Sequence, residues 1–339
     1  MKKLFNGIAL FLMLAMLFSI VGCAGDQPVE PSEEPSEEPA EEPVEVPSVA
    51  LLLPGPINDM GWNASAYGGL QLIEETYGAD ISYAESVGQS DMEEVFRSYA
   101  SIGYDLIFGH GSQFTDAAIA VAAEFPDTMF VLINGNAPTE PNLACVQVAD
   151  EQQGFLMGAF AALMTESGTV GVIGGLEIPP ITNAVNGFIA GAQYINPEVE
   201  VLSGMTGSFD DVNAAKETAL AYIDNGADYV AAIANQAGLG SIEACEDQGV
   251  YAIGANQDQF DISPSSVVVS VMKEVPIAFD FAYKTFVDGN LNAEVYRLGV
   301  KEGVVFFSSY HDFEDFVPQE VKDRMDEVIA ELSAGNIEF

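Results

Sequence analysis

Short runs of aliphatic and β-branched residues alternate along most of this chain with longer stretches whose apolar positions recur at helical spacing. Residues 49–53 (VALLL) read as a buried strand and 63–77 as the helix that follows it. The alternation continues with strands over 80–85, 106–109 and 129–133 and helices over 92–101 and 115–124. A second series begins at 170–173 and runs through 184–194, 199–203, 213–225, 229–233, 239–247 and 251–254. Such alternation defines an α/β fold, and two series predict two doubly wound parallel-sheet lobes with helices on both faces of each sheet. In these sheets ligands sit beyond the carboxyl ends of the strands. The loops there, 54–62, 109–114, 134–137, 174–181, 207–211, 235–239 and 255–259, are rich in Gly, Asn, Asp and aromatic residues, whereas the strands feeding them are almost purely apolar. That contrast suits a ligand cleft between two lobes.

The amino-terminal stretch follows a different pattern. MKKLFNGIALFLMLAMLFSIVGC has two lysines, an apolar run and small residues before a cysteine, which is the pattern of an export signal. The run from 8 to 21 falls short of the roughly 20 apolar residues that a membrane-spanning helix needs, so residues 1–22 are expected to be a cleaved signal. Ile20-Val21-Gly22-Cys23 resembles the lipobox of bacterial lipoproteins, which implies lipidation of Cys23 and a chain anchored to the cell membrane on its extracytoplasmic face. Residues 23–47 then repeat a Pro-(Ser/Ala)-Glu-Glu unit with no apolar surface to offset the entropy of ordering, and read as an acidic tether.

Composition narrows the partners. Ten basic residues face 52 acidic ones, for a formal net charge of −42, and the tether accounts for only nine of the acids. So acidic a surface repels polyanions and lacks the electrostatic footprint of a nucleic-acid binder. It suits a saline or alkaline habitat, where salt screens self-repulsion. The melting temperature is therefore expected to fall on dialysis into low salt, and an unchanged value would remove the habitat reading. With Cys23 lipidated, Cys145 and Cys245 remain, each in an apolar context that suits a buried thiol. His110 and His311 are the only histidines and no Cys or His cluster occurs, so neither a metal site nor another cofactor is expected.

Five segments in order, GPINDMGWNASAYGGL (55–70), VADEQQGFLMGAFAAL (148–163), GVIGGLEIPPITNAVNGFIAGAQYINPEVEV (171–201), GSFDDVNAAKETALAYIDNGADYV (207–230) and GVYAIGANQDQ (249–259), resemble the basic-membrane-protein family of extracellular lipoproteins. These look like type I periplasmic binding proteins, and the resemblance implies two hinged lobes joined by three crossovers. The crossovers are expected near Ser167, Ala255 and Asn290, giving one lobe from 48–166 plus 256–289 and another from 167–255 plus 290–339. The resemblance also implies a monomer that hands a purine nucleoside or nucleobase to an ABC permease.

Trp62, the only tryptophan, stands where the family carries an aromatic that stacks on the ligand base, and an indole is a flat platform for a ring. Phe209 matches a second family aromatic on the other side. Asp59 and Asn63 flank Trp62, and both suit helix-start capping as well as binding. His110 and Phe114 lie in GHGSQF, where glycines allow close approach of a ligand; a local hydrogen bond is the other role open to His110. Asn134, Asn256, Asp258 and Lys273 match polar positions of the family pocket. The resemblance leads one to expect aspartates at 134 and 256 and an acid near Leu53. An amide offers a donor and a weaker acceptor than a carboxylate, and leucine offers neither, so the ligand can differ from the family's.

No G-x-S-x-G and no G-x-x-x-x-G-K-[ST] occurs, and Gly109-His110-Gly111 lacks a third glycine at the required spacing. The expected protein is therefore not an enzyme. Two other roles use the same cleft: a sensor docking on a membrane receptor or kinase, and a nucleoside-processing enzyme.

Overall fold

Val49, Ala50, Leu51 and Leu52 have no solvent exposure at all, which marks a strand covered on both faces. The computed structural model describes residues 46–58 and 62–339. The expected signal, Cys23, nearly all of the tether and Asp59 lie outside the described residues.

The first sheet is built from β1 (Val49–Leu52), β2 (Ile81–Ala84), β3 (Leu106–His110), β4 (Met129–Ile133), β5 (Leu143–Val148) and β11 (Val295–Leu298). Its order is β11-β5-β4-β3-β1-β2, with every pair parallel. The second sheet contains β6 (Thr169–Gly174), β7 (Glu200–Met205), β8 (Tyr229–Ile233), β9 (Tyr251–Asn256), β10 (Val267–Lys273) and β12 (Val305–Phe307). It runs β12-β10-β9-β8-β6-β7 and is parallel apart from β12, which pairs antiparallel with β10. The period of two sorts the side chains of each strand. Val49 and Leu51 pack toward α1 (Trp62–Tyr77) and α8 (Val275–Val287), while Ala50 and Leu52 pack toward α2 (Met92–Ser101) and α3 (Thr115–Ala122). In the second lobe α6 (Val212–Asp224) and α7 (Gly238–Gln248) cover one face, and α4 (Asp150–Met164), α5 (Pro179–Ile195) and α9 (Gln319–Ser333) cover the other.

The lobe boundaries differ from those expected. Helix α4 packs on β8, β10 and β12, so the chain first crosses at Ala149 and not near Ser167. Strand β10 pairs with β9, which carries the second lobe through to Lys273, and the second crossing lies between Lys273 and α8 instead of near Ala255. Strand β11 pairs with β5 in the first lobe, so the third crossing spans 299–304 and not the surroundings of Asn290. The reason is physical: β10 is mostly buried and such a strand shows the same apolar pattern in whichever sheet it lies, α4 is buried nearly all round, and β11 is a short, partly exposed edge strand with nothing to mark its neighbour.

Helices α4 and α5 meet backbone to backbone. A Cβ added at Gly154 would sit 1.7 Å from the Ala184 carbonyl oxygen, one at Gly158 1.9 Å from that of Phe188, and those at Gly187 and Gly191 2.1 Å from the carbonyl oxygens of Glu151 and Phe155. Only glycine fits at these four points. Cys145 and Cys245 are free and buried, and burial pushes the Cys245 thiol up to about 12, which leaves it inert. Among the described residues no helix is long and apolar enough to cross a membrane.

Candidate functional site

All three crossings leave from carboxyl ends: of β5, of β10 and of β11. The carboxyl edges of the two sheets therefore lie nearest each other, and the loops beyond them line the space between the lobes. On the first edge Trp62 opens α1, half-buried, with its ring stacked on the His110 imidazole at 3.9 Å between centroids and 25° between planes. His110 Nε2 lies 2.9 Å from the Trp62 carbonyl oxygen, and since a carbonyl only accepts, Nε2 carries the proton and donates. The histidine has no solvent exposure and also meets Phe279, so it lies behind the indole as a support and not on the cleft surface.

Phe114 was expected beside it, but it is fully buried against Phe96 on the far face of the first sheet. The pattern GHGSQF misleads because the turn after β3 sends the ring back into the core. Asn63 is buried, and its Oδ1 accepts from Gly55 N at 3.2 Å, fastening the loop after β1 to the start of α1. Leu53 is fully buried in the core.

Asn134, Asn235 and Asn256 follow or end β4, β8 and β9, and all three have left-handed backbones, with φ of 60°, 49° and 68°. Asparagine tolerates this conformation better than other residues with a Cβ, and strained non-glycine positions cluster at functional sites. On the second lobe Phe209 is half-buried in the loop after β7, pressed on Gly175 so closely that a Cβ there would lie 2.5 Å from its ring. Its carbonyl accepts from Ala237 N at 2.8 Å. Asp258 is engaged within its own lobe: Oδ2 accepts from His311 Nε2 at 2.6 Å and Oδ1 from Phe260 N at 3.1 Å, with the Phe260 ring stacked on His311.

Lys273 is held by Asp150, Nζ to Oδ1 2.9 Å, with only 16% and 8% of the two side chains exposed. Asp150 is the first of four consecutive polar residues that begin α4, and each ties down a crossing or a strand end. The Arg297 guanidinium on β11 grips the Glu151 carboxylate through both Nε and Nη2. Gln152 Oε1 accepts from Val300 N at 2.8 Å, and Gln153 Nε2 donates to Asn256 Oδ1 at 3.1 Å and to the Val271 carbonyl at 3.0 Å. Sequence reading missed this cluster. The signal was present as Asp-Glu-Gln-Gln between apolar runs, a combination that an otherwise buried helix keeps only if all four find partners. Among the described residues no cluster of three or more His, Cys, Asp or Glu could hold a metal ion.

Two doubly wound lobes, three crossings at the carboxyl edges and a row of aromatic and amide side chains along those edges define a two-lobed solute-binding protein of the type I periplasmic class. The chain belongs to the ABC transporter substrate-binding protein family, PnrA-like, whose model matches residues 46–336. It is 32% identical over 282 residues to basic membrane protein B of Borrelia garinii subsp. bavariensis, covering 78% of this chain and 82% of that one. It is 30% identical over 285 residues to the transcriptional activator protein med of Bacillus subtilis (strain 168), covering 84% and 88%. The crystal structure of a transcriptional activator of the comK gene from Bacillus halodurans superposes with a TM-score of 0.73 at 28% identity, covering 84% of this chain and 96% of that one. The family and fold expected from the sequence are thus borne out. The family is one of substrate-binding proteins, which take a small molecule and serve an ABC transporter.

Proposed function

We propose that this protein is a lipid-anchored receptor, held by Cys23 at the extracytoplasmic face of the cell membrane, that delivers a purine nucleoside or nucleobase unchanged to an ABC importer. The observation that carries the reading is Trp62, a half-buried indole at the carboxyl edge of the first lobe, backed at 3.9 Å by His110. A platform fixed on one face suits an aromatic ring on the other. Phe209, at the carboxyl edge of the second lobe, is the partner that closes the stack when the lobes approach. Asn134, Asn256 and Lys273 then meet the polar rim of the ligand, and the chain acts as a monomer.

The test is a melting-temperature panel of nucleosides, nucleobases, sugars and amino acids. A ligand at about 100 times its Kd stabilises by roughly 2.7 kcal/mol. Purines alone are expected to produce that shift, and Trp62→Ala to abolish it; a shift from another class and none from purines overturns the cargo. A second reading, in which the liganded protein reports to a membrane receptor or kinase, is favoured by the relative named as a transcriptional activator. Uptake of labelled ligand by cells that lack the protein separates the two, since only an import receptor changes the rate.

A further inference from the structure

We infer that Gln153 fixes the amide of Asn256 with its N–H2 group toward the cleft, so that the ligand atom meeting this position is a hydrogen-bond acceptor. This rests on the reading of the cleft as the ligand site and goes beyond it, since it names the polarity of one contact and the residue that sets it.

Val271 O lies 3.0 Å from the Gln153 side-chain amide, and a backbone carbonyl has no proton to give, so the atom facing it is Nε2. The same nitrogen lies 3.1 Å from the Asn256 side chain, and a donor must meet an acceptor, so that atom is Oδ1. Reversing the Gln153 amide would set Oε1 against the carbonyl and lose that bond, even if Asn256 turned with it to donate its own N–H. Gln153 has no solvent exposure and its Oε1 is buried without a partner, so neither orientation is rescued by solvent, and the one with two bonds wins. Once Oδ1 of Asn256 is committed, Nδ2 is turned the other way. It has no partner among the described residues, and Asn256 is half-buried at the carboxyl end of β9.

The neighbouring strand adds a second donor. Met272 pairs with Asn256 in register, so Lys273 stands one residue beyond on β10, its charge balanced by Asp150. This corner of the cleft therefore presents donors and no net charge. A keto oxygen, an unprotonated ring nitrogen, or a hydroxyl oxygen used as acceptor satisfies it; a group that can only donate does not.

Two measurements on the full chain decide the point. In the unliganded protein, side-chain amide exchange by NMR is expected to show the Gln153 amide slowed at least about 100-fold relative to a free amide, and that of Asn256 within about fivefold of one. The reverse pattern overturns the inference whatever the cargo is. Calorimetry with adenosine, its 2′-O-methyl and 3′-O-methyl analogues and inosine then compares the wild type with Asn256→Asp. An ether oxygen and a keto oxygen accept without donating. At one position the acceptor-only probe is expected to keep wild-type affinity within about threefold and to lose about tenfold or more with Asn256→Asp, as an acceptor comes to face an acceptor. Gln153→Leu lets the Asn256 amide turn, and is expected to shrink the wild type's preference for inosine, whose 6-keto oxygen accepts, over adenosine, whose 6-amino group donates, to within about twofold; a Gln153 that serves stability alone would weaken all probes equally. Identical preferences in wild type and Asn256→Asp at every position would overturn the inference. Failure of all four probes to bind the wild type removes the purine cargo instead, and the exchange pattern still decides the amide.

Discussion

Gly158→Ala is expected to lower the stability of the protein by about 3 kcal/mol, although alanine is the better helix former by roughly 1 kcal/mol. The added carbon would lie 1.9 Å from the Phe188 carbonyl oxygen, and that obstacle is backbone, which cannot rotate aside. The helices must separate, and every apolar contact along α4 and α5 loosens with them. Gly68, in the interior of α1, supplies the contrast, because a Cβ there would meet Pro276 at an ordinary 3.8 Å. Gly68→Ala is expected to stabilise by up to about 1 kcal/mol. Urea unfolding of both variants checks the pair. Equal effects would mean that the close contact carries no energetic weight.

Lys273→Met is expected to cost about 3 to 5 kcal/mol, because it leaves the Asp150 carboxylate, only 8% exposed, without its counter-charge. Asp150→Asn combined with Lys273→Met is expected to recover most of the loss, since a neutral pair needs no compensation. If the double variant is as unstable as the single one, the lysine acts through packing and not through charge. The same series measured with ligand present separates the two roles open to Lys273. A residue that only fastens the crossing changes stability while leaving affinity within a fewfold, whereas one that also touches ligand lowers both.

Most of the architecture was legible because burial on both faces writes itself as uninterrupted apolar runs. Residues 129–133 and 229–233 were read as strands with the bounds they adopt. Assignment of strands to lobes was only partly legible, because VVVSVMK of β10 and VYRL of β11 carry no mark of the neighbour each will pair with. Helix α4 gave little warning of its place either. Nearly all of its positions are buried, so it has no polar stripe to show which side faces a sheet. Of the site, Trp62 and the strand-end asparagines lie where loop position put them. The depth of His110 and Phe114 could not be read, since it depends on which way a three-residue turn directs a ring. The charge pairs at the start of α4 join residues about 120 to 150 apart in sequence, and no local pattern encodes such pairing.

The closeness of α4 and α5 bears on how a receptor of this kind transmits force. Two helices whose main chains touch have no layer of deformable side chains between them, and a packed interior yields little under load. The second lobe is therefore stiff along this seam, and α4 ties the seam to the crossings: its first half, 151–158, is pressed against α5, and the same end carries the four polar residues that grip the crossings. Bending between the lobes is left to the short links at 149, 274 and 299–304, which act as a fulcrum. A permease or receptor that pushes on the outer side of the second lobe would thus move the cleft wall as a unit, and work done at that distant surface would arrive at the ligand little dissipated.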